Sequence, residues 1–354
     1  ILGMLAASRT ANASSMSAAN AMMVGGQAAA MQSQLNFSRD MEREADRVGY
    51  GVMTDAGYEA QGFVTMFEKL QQAARLNDNG SFPYLRSHPM TTERIADAQA
   101  RQQLLPTRAA VATTPTHAMM SARAQVLAKP GVDVLRALAG QANATTLALA
   151  TPAKQAGVLY GATLAEMVQR NFGAARQHLA RLQSLAGLEL SALRAVRLLA
   201  AELALTAGDA AQAVVLLTPK VVLLASQDRA TRMQLARSRI ATQKPAQGKL
   251  AASELSLWLS QHPRDASAWL LQASAYELQG DSLRAIRAQA EARAMELDYG
   301  AAVDRFKAAQ QLAHQMASES KLDRGGHMEA SIIDARLREL ERLRREQALE
   351  RGIN

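Results

Sequence analysis

Apolar residues recur at helical spacing along nearly the whole chain. Phe63, Met66, Phe67 and Leu70 fall at such spacing, which predicts an amphipathic helix over Ala60 to Leu76 that buries all four. Phe37 to Asp55 has the same texture and should be a helix ended at Gly57. Asn77-Asp78-Asn79-Gly80 reads as a turn. Ser87-His88-Pro89 reads as a loop, since a residue before proline avoids the helical region. Thr91 or Thr92 then caps a helix running through Arg94, Ile95 and Ala98.

Residues 102–117 mix proline, threonine and alanine, the composition of a linker. Beyond it the pattern is helical to the end, with turns at a regular interval. Gly208-Asp209 and Gly280-Asp281 follow helices, and Lys244-Pro245 falls midway between them. An earlier turn lies at Arg170-Asn171, just before FGAARQHLARL. A two-helix unit of roughly 34 residues, with small residues where its helices cross, is the mark of tetratricopeptide repeats. Trp269, Ala273, Tyr276, Gly280 and Ala285 stand at the offsets of that motif. The expected organisation is therefore an opening segment 1–36, a helical unit 37–101, a linker 102–117, repeats over 118–327 and a charged helix over 328–354. The fold class is all-α.

Residues 1–36 are apolar and small, with Arg9 as their one charge and Gly25-Gly26 breaking any long helix. They read as a mobile or amphipathic loop segment able to touch a membrane surface. A piece of a helical domain whose packing partner is elsewhere is the equal alternative.

Composition narrows this picture. Apolar residues make up 48% of the chain and aromatics only 4%, which favours helices packed through alanine over a β-sandwich. With no cysteine, any metal must sit on His, Asp or Glu. The net charge of +8 is spread along helix faces without interleaved aromatics, so nucleic acid is not expected as a partner. No run reaches the length of a membrane-spanning helix, and no signal peptide opens the chain. Because residue 1 is isoleucine, the natural start is expected upstream.

The segment with chemical promise is Phe37-Ser-Arg-Asp-Met-Glu-Arg-Glu-Ala-Asp-Arg-Val-Gly49. Glu42 and Asp46 are four residues apart and share a helix face, while Glu44 points elsewhere. ExEADRVG, then GFVTMFEKL, then SHPMTTERI resembles zinc metallopeptidases of the HtpX and CAAX-prenyl-protease type, peptidase family 48. The likeness is to those periplasmic members in which a tetratricopeptide domain follows the protease. It implies that Glu42 is a zinc ligand and that Asp46 orients a histidine ligand. It implies further that His88 lies close to the active site, as an extra ligand, a transition-state donor or a gate. Arg94 then anchors the His88 loop on an acidic partner.

The resemblance also implies a periplasmic zinc endopeptidase whose repeats recruit protein substrates and partners in a groove, for quality control of outer-membrane or envelope proteins. One departure matters. The histidines are His88, His117, His178, His262, His314 and His327, and none belongs to an HExxH motif. This chain by itself is therefore expected to be inactive and to hold zinc weakly or not at all, as the carboxy-terminal portion of the enzyme. The alternative is a non-catalytic adaptor or chaperone-like scaffold that binds partner proteins. His178, His262 and His314, within or beside repeat helices, are expected at the surface or satisfied, and the Met119-Met120 pair is expected to be helix packing.

Overall fold

A computed structural model describes residues 40–76, 92–103, 112–128, 130–218 and 228–352. Among them every regular element is a helix, as the sequence pattern predicts. The segment 1–36, the Asn77–Gly80 turn and the His88 loop lie outside the described residues. The chain forms two compact units, residues 1–112 and 113–354.

In the first unit, α1 covers residues 40–55, α2 Ala60–Leu76 and α3 Thr92–Gln103. Gly57 ends α1 at φ 86°, where a side chain would be strained. The small core joins Tyr50 of α1, Phe63, Val64 and Phe67 of α2, and Ile95 and Ala98 of α3. Tyr50 meets Phe63 edge-on at 5.4 Å, and Phe63 leans on Phe67 at 4.6 Å. The prediction for α2 needs one correction. Met66 is exposed, and Val64 takes its place in the core. Val64 lies in the stripe of Phe63 and Phe67, whereas Met66 sits about 200° around the helix from Val64.

The second unit is a train of helices: α4 Pro115–Leu127, α5 Val132–Gln141, a 3-10 turn Thr145–Leu149, α6 Pro152–Val168, α7 Phe172–Gln183, α8 Leu190–Thr206 and α9 Ala210–Leu217. It continues with α10 Arg229–Ala241, α11 Pro245–Gln261, α12 Ala266–Glu277, α13 Ser282–Met295, α14 Tyr299–Ser318 and α15 Arg324–Gly352. The turns read from the sequence at Arg170, Gly208, Lys244 and Gly280 each separate two helices. Their left-handed residues Gly208, Gln243 and Gly280 are 35 and 37 positions apart. At most of them the helix closes in one way. A left-handed residue lets the next N–H reach back five positions, as Asp209 does to Ala204 and Asp281 to Tyr276. That same aspartate then caps the following helix, Asp209 accepting from the Gln212 N–H and Asp281 from the Arg284 N–H.

The core is a series of clusters, each packing neighbouring helices, one around α4–α8, one around α10–α12 and one around α13–α15. Junctions between hairpins are also pinned by charge. Arg229 forks onto Asp265, the cap of α12, with both contacts at 2.7 Å, and Trp258 donates to the same carboxylate at 2.9 Å. These donors, the arginine above all, hold the Asp265 carboxyl down at about 2. One junction gives up sequence order. Helix α4 does not pair with α5 but lies on α6, running in the same direction. A side chain at Gly157 would meet Ala118, and one at Gly161 would meet Ala122. Arg123 of α4 completes the contact by forking onto Glu202 of α8 and donating to the Tyr160 hydroxyl of α6.

The histidine expectations meet one exception. His117, His262 and His314 are exposed. His178 on α7 is instead buried, and its Nδ1 has no hydrogen-bond partner among the described residues. Burial lowers its pKa, opposed by Glu166 and assisted by Arg181. The unfolded chain therefore binds a proton that the folded chain resists, so stability falls as the pH drops below about 6.5. Urea unfolding at pH 8 and pH 5 should show this loss, and His178→Gln should reduce it. An unchanged pH dependence in that variant would remove His178 as its cause.

Candidate functional site

The side chains that matter lie on α1 and α3. Helix α1 carries Glu42 and Asp46 one turn apart, so both face α3. Helix α3 answers with Arg94, which is only 8% exposed. Its Nε and Nη2 donate to the two oxygens of Asp46 at 2.7 and 2.6 Å. Its Nη1 lies 3.0 Å from Oε2 of Glu42. The Phe67 ring sits under the guanidinium at 5.2 Å, inside cation–π range. One buried cation thus serves two largely covered carboxylates, 14% and 17% exposed.

The surrounding charges are of a different kind. Glu44 points away, as its register requires, and pairs with Arg47 in solvent at 2.8 and 2.6 Å. That bond holds the Glu44 carboxyl below its ordinary value. Arg43 links Asp40 to Glu93 across the α1–α3 junction. Such exposed pairs contribute little, on the order of 0–1 kcal/mol each. Beneath them the Tyr50 hydroxyl is buried without a hydrogen-bond partner among the described residues, and burial raises its pKa.

Of the residues singled out by sequence, the structure brings Glu42, Asp46 and Arg94 together. His88 lies outside the described residues. That Arg94 reaches Glu42 as well as Asp46 could not be read from the sequence, since 48 residues or more separate it from both.

Whether this arrangement suits zinc is a question of donors. A zinc site needs about three protein ligands of neutral nitrogen, thiolate or carboxylate type. Among the described residues no group of three His, Cys, Asp or Glu side chains converges. The cluster contains two carboxylates and a guanidinium, and the guanidinium repels a metal ion. The described residues therefore do not fit zinc by themselves. Each carboxylate oxygen still has a second lone pair, so Asp46 can accept another donor while held by Arg94.

A match to a known family falls within this unit. Residues 1–102 match the family described as Peptidase family M48. Across 168 residues the chain is 30% identical to the putative beta-barrel assembly-enhancing protease of Vibrio cholerae, over 47% of its own length and 33% of that protein. Over 81 residues it is 35% identical to the beta-barrel assembly-enhancing protease of Escherichia coli K12, or 23% of this chain and 16% of that one. The Shigella flexneri protein of the same name gives the same figures. The chain thus spans a third or less of the length of these curated relatives. Among the described residues, no helix is long and apolar enough to cross a membrane.

Proposed function

We propose that the chain is part of a zinc-dependent metalloendopeptidase whose first unit contributes the Glu42 ligand helix and whose second unit is a tetratricopeptide-like array that binds proteins. The observation that carries this reading is the convergence of Glu42, Asp46 and Arg94 on two helices inside the segment that matches the peptidase family. Glu42 and Asp46 are four residues apart on one face, the spacing that a metal ligand and the carboxylate orienting a neighbouring ligand require. The two histidine ligands and the general base of an HExxH helix are absent from these 354 residues. On this reading the chain alone does not hydrolyse peptide bonds.

The names of the relatives support a role in β-barrel assembly, and the proposed setting is the quality control of outer-membrane proteins in the periplasm. The repeated hairpins, with Trp269 and Tyr276 packed against neighbouring helices, support protein segments as the partners of the array. The rival reading is a non-catalytic adaptor in which the first unit only caps the array. It is favoured by the engagement of Glu42 with Arg94.

Zinc content and casein cleavage separate the two. They are measured on this chain and on the same chain joined to any coding sequence that precedes Ile1. Stoichiometric zinc and chelator-sensitive cleavage are expected only in the longer protein. Glu42→Gln there should lower cleavage by about a hundredfold or more. No zinc and no cleavage in either protein would leave the adaptor.

A further inference from the structure

The second unit carries one of its own helices on a face that it leaves uncovered farther along. Helix α4 lies along α8 as well as on α6. Thr116 at its start meets Glu189 at 2.7 Å and Ser191 at 2.9 Å, and Arg123 forks onto Glu202. Ala195 and Leu199, between those contacts on α8, are buried. The same face recurs on α10. Arg194 and Arg229 occupy equivalent places, as do Gly208 and Gln243, so α10 repeats α8 at an interval of 35. Ala230, Gln234 and Arg237 therefore stand where α8 has Ala195, Leu199 and Glu202. The Gln234 Nε2 donates to the Leu198 carbonyl oxygen at 2.8 Å, which sets the two helices side by side. Among the described residues no helix takes the place of α4 on α10, and Ala230 and Arg237 are exposed. The caps Asp228 and Asp265 put α12 another 37 positions on, which brings the half-buried Ser267, Leu271 and Ser274 into line. Leu270 adds an apolar edge, 44% exposed.

We propose that this face of α10 and α12 docks an acidic helical segment of a partner protein, with Arg237 receiving its carboxylate. Charge decides the occupant. Where α4 brings an arginine to Glu202, α10 presents an arginine in the place of that glutamate. Helix α10 has four arginines and no acid. Three of them are engaged: Arg229 with Asp265, Arg239 with Glu254, and Arg232 over the Trp258 ring at 5.8 Å. Arg237 is the one of the four that meets neither acid nor ring among the described residues. Alanine and serine along the row let a helix approach closely, as Gly157 and Gly161 do for α4. Gln234, in the place of the buried Leu199, keeps the face polar enough to stand in water, which suits a partner that binds and leaves. The inference rests on the reading of the second unit as a protein-binding array, and it names the chemistry of what that array holds: a helix with an acid among small and apolar residues.

The test uses two fluorescein-labelled peptides titrated onto the full chain by fluorescence anisotropy. One copies α4, residues 115–127, and the other is the same peptide carrying Arg123→Glu. The acidic peptide should bind about fivefold or more tightly than the copy. Arg237→Glu in the chain should reverse that order. Arg176→Glu, at an exposed position of α7, changes the net charge equally and should leave the order as it was. Equal binding of the two peptides, or binding by neither, overturns the proposal. So does a preference that Arg176→Glu removes as fully as Arg237→Glu. Binding of the acidic peptide that ignores Arg237 sinks this site alone and leaves the array a protein binder. None of these results bears on the zinc and cleavage measurements, so the two readings fail separately.

Discussion

Replacing Gly157 by leucine should lower the stability of the second unit by about 2–4 kcal/mol. A Cβ at this position would lie 2.9 Å from the Ala118 Cβ and 3.0 Å from the Ala118 carbonyl oxygen. Backbone cannot swing aside as a side-chain tip can, so even a methyl group forces α4 away from α6. Leucine adds three further carbons. Helix α4 would then withdraw Met119, which is fully buried, and Val126 from the largest cluster. The fork from Arg123 to Glu202 would stretch with it. Urea unfolding followed by circular dichroism measures the loss. Gly140→Ala is the control, because nothing lies within 4 Å of the added carbon there, and in a helix it should raise stability by up to about 1 kcal/mol. A Gly157→Leu protein as stable as the control would mean that α4 is not seated on α6 in this way.

The second large effect is expected at the other end of the array. Phe306 of α14 is fully buried among Val303, Ala309, Ile333, Leu337 and Leu340. Truncation to alanine should cost about 3–5 kcal/mol, the transfer of the ring plus the cavity it leaves. The spatial pattern of the loss says more than its size. The clusters are separate and each joins neighbouring helices, so hydrogen exchange should speed up over α13–α15 first and leave α6–α8 protected. Uniform loss of protection across the second unit would contradict the nearest-neighbour organisation.

The sequence revealed the helices more fully than their partners. The glycines of Gly208-Asp209 and Gly280-Asp281 announced two turns, because a left-handed residue followed by a capping aspartate is a local signal. The turns at Leu297-Asp298 and Ser320 use the same geometry at φ 61° and 54°. They lack glycine, and so they carry no such mark. The seating of α4 on α6 was hidden for a different reason. Its contacts are alanine against glycine, residue types that leave no apolar periodicity, and they join positions about forty residues apart. In the first unit the Glu42 and Asp46 face followed from a four-residue spacing. The double engagement of Arg94 depends on how α1 and α3 cross, which no local pattern encodes. His178 was expected at a surface or satisfied, since a polar residue inside a helix usually is. It is nevertheless buried, on a helix that packs against α6.

The arginine–aspartate junctions have a consequence for how such a chain can grow or shrink. Arg194 lies 3.6 Å from Asp228, the cap of α10, and Arg229 meets Asp265, the cap of α12. The two arginines are 35 positions apart and the two aspartates 37, close to one hairpin each. A hairpin excised or duplicated between equivalent points would therefore present an arginine to an aspartate at the new seam, as the old ones did. The joint is interchangeable, and the length of the array is free to drift by whole hairpins while its stacking rule is inherited unchanged.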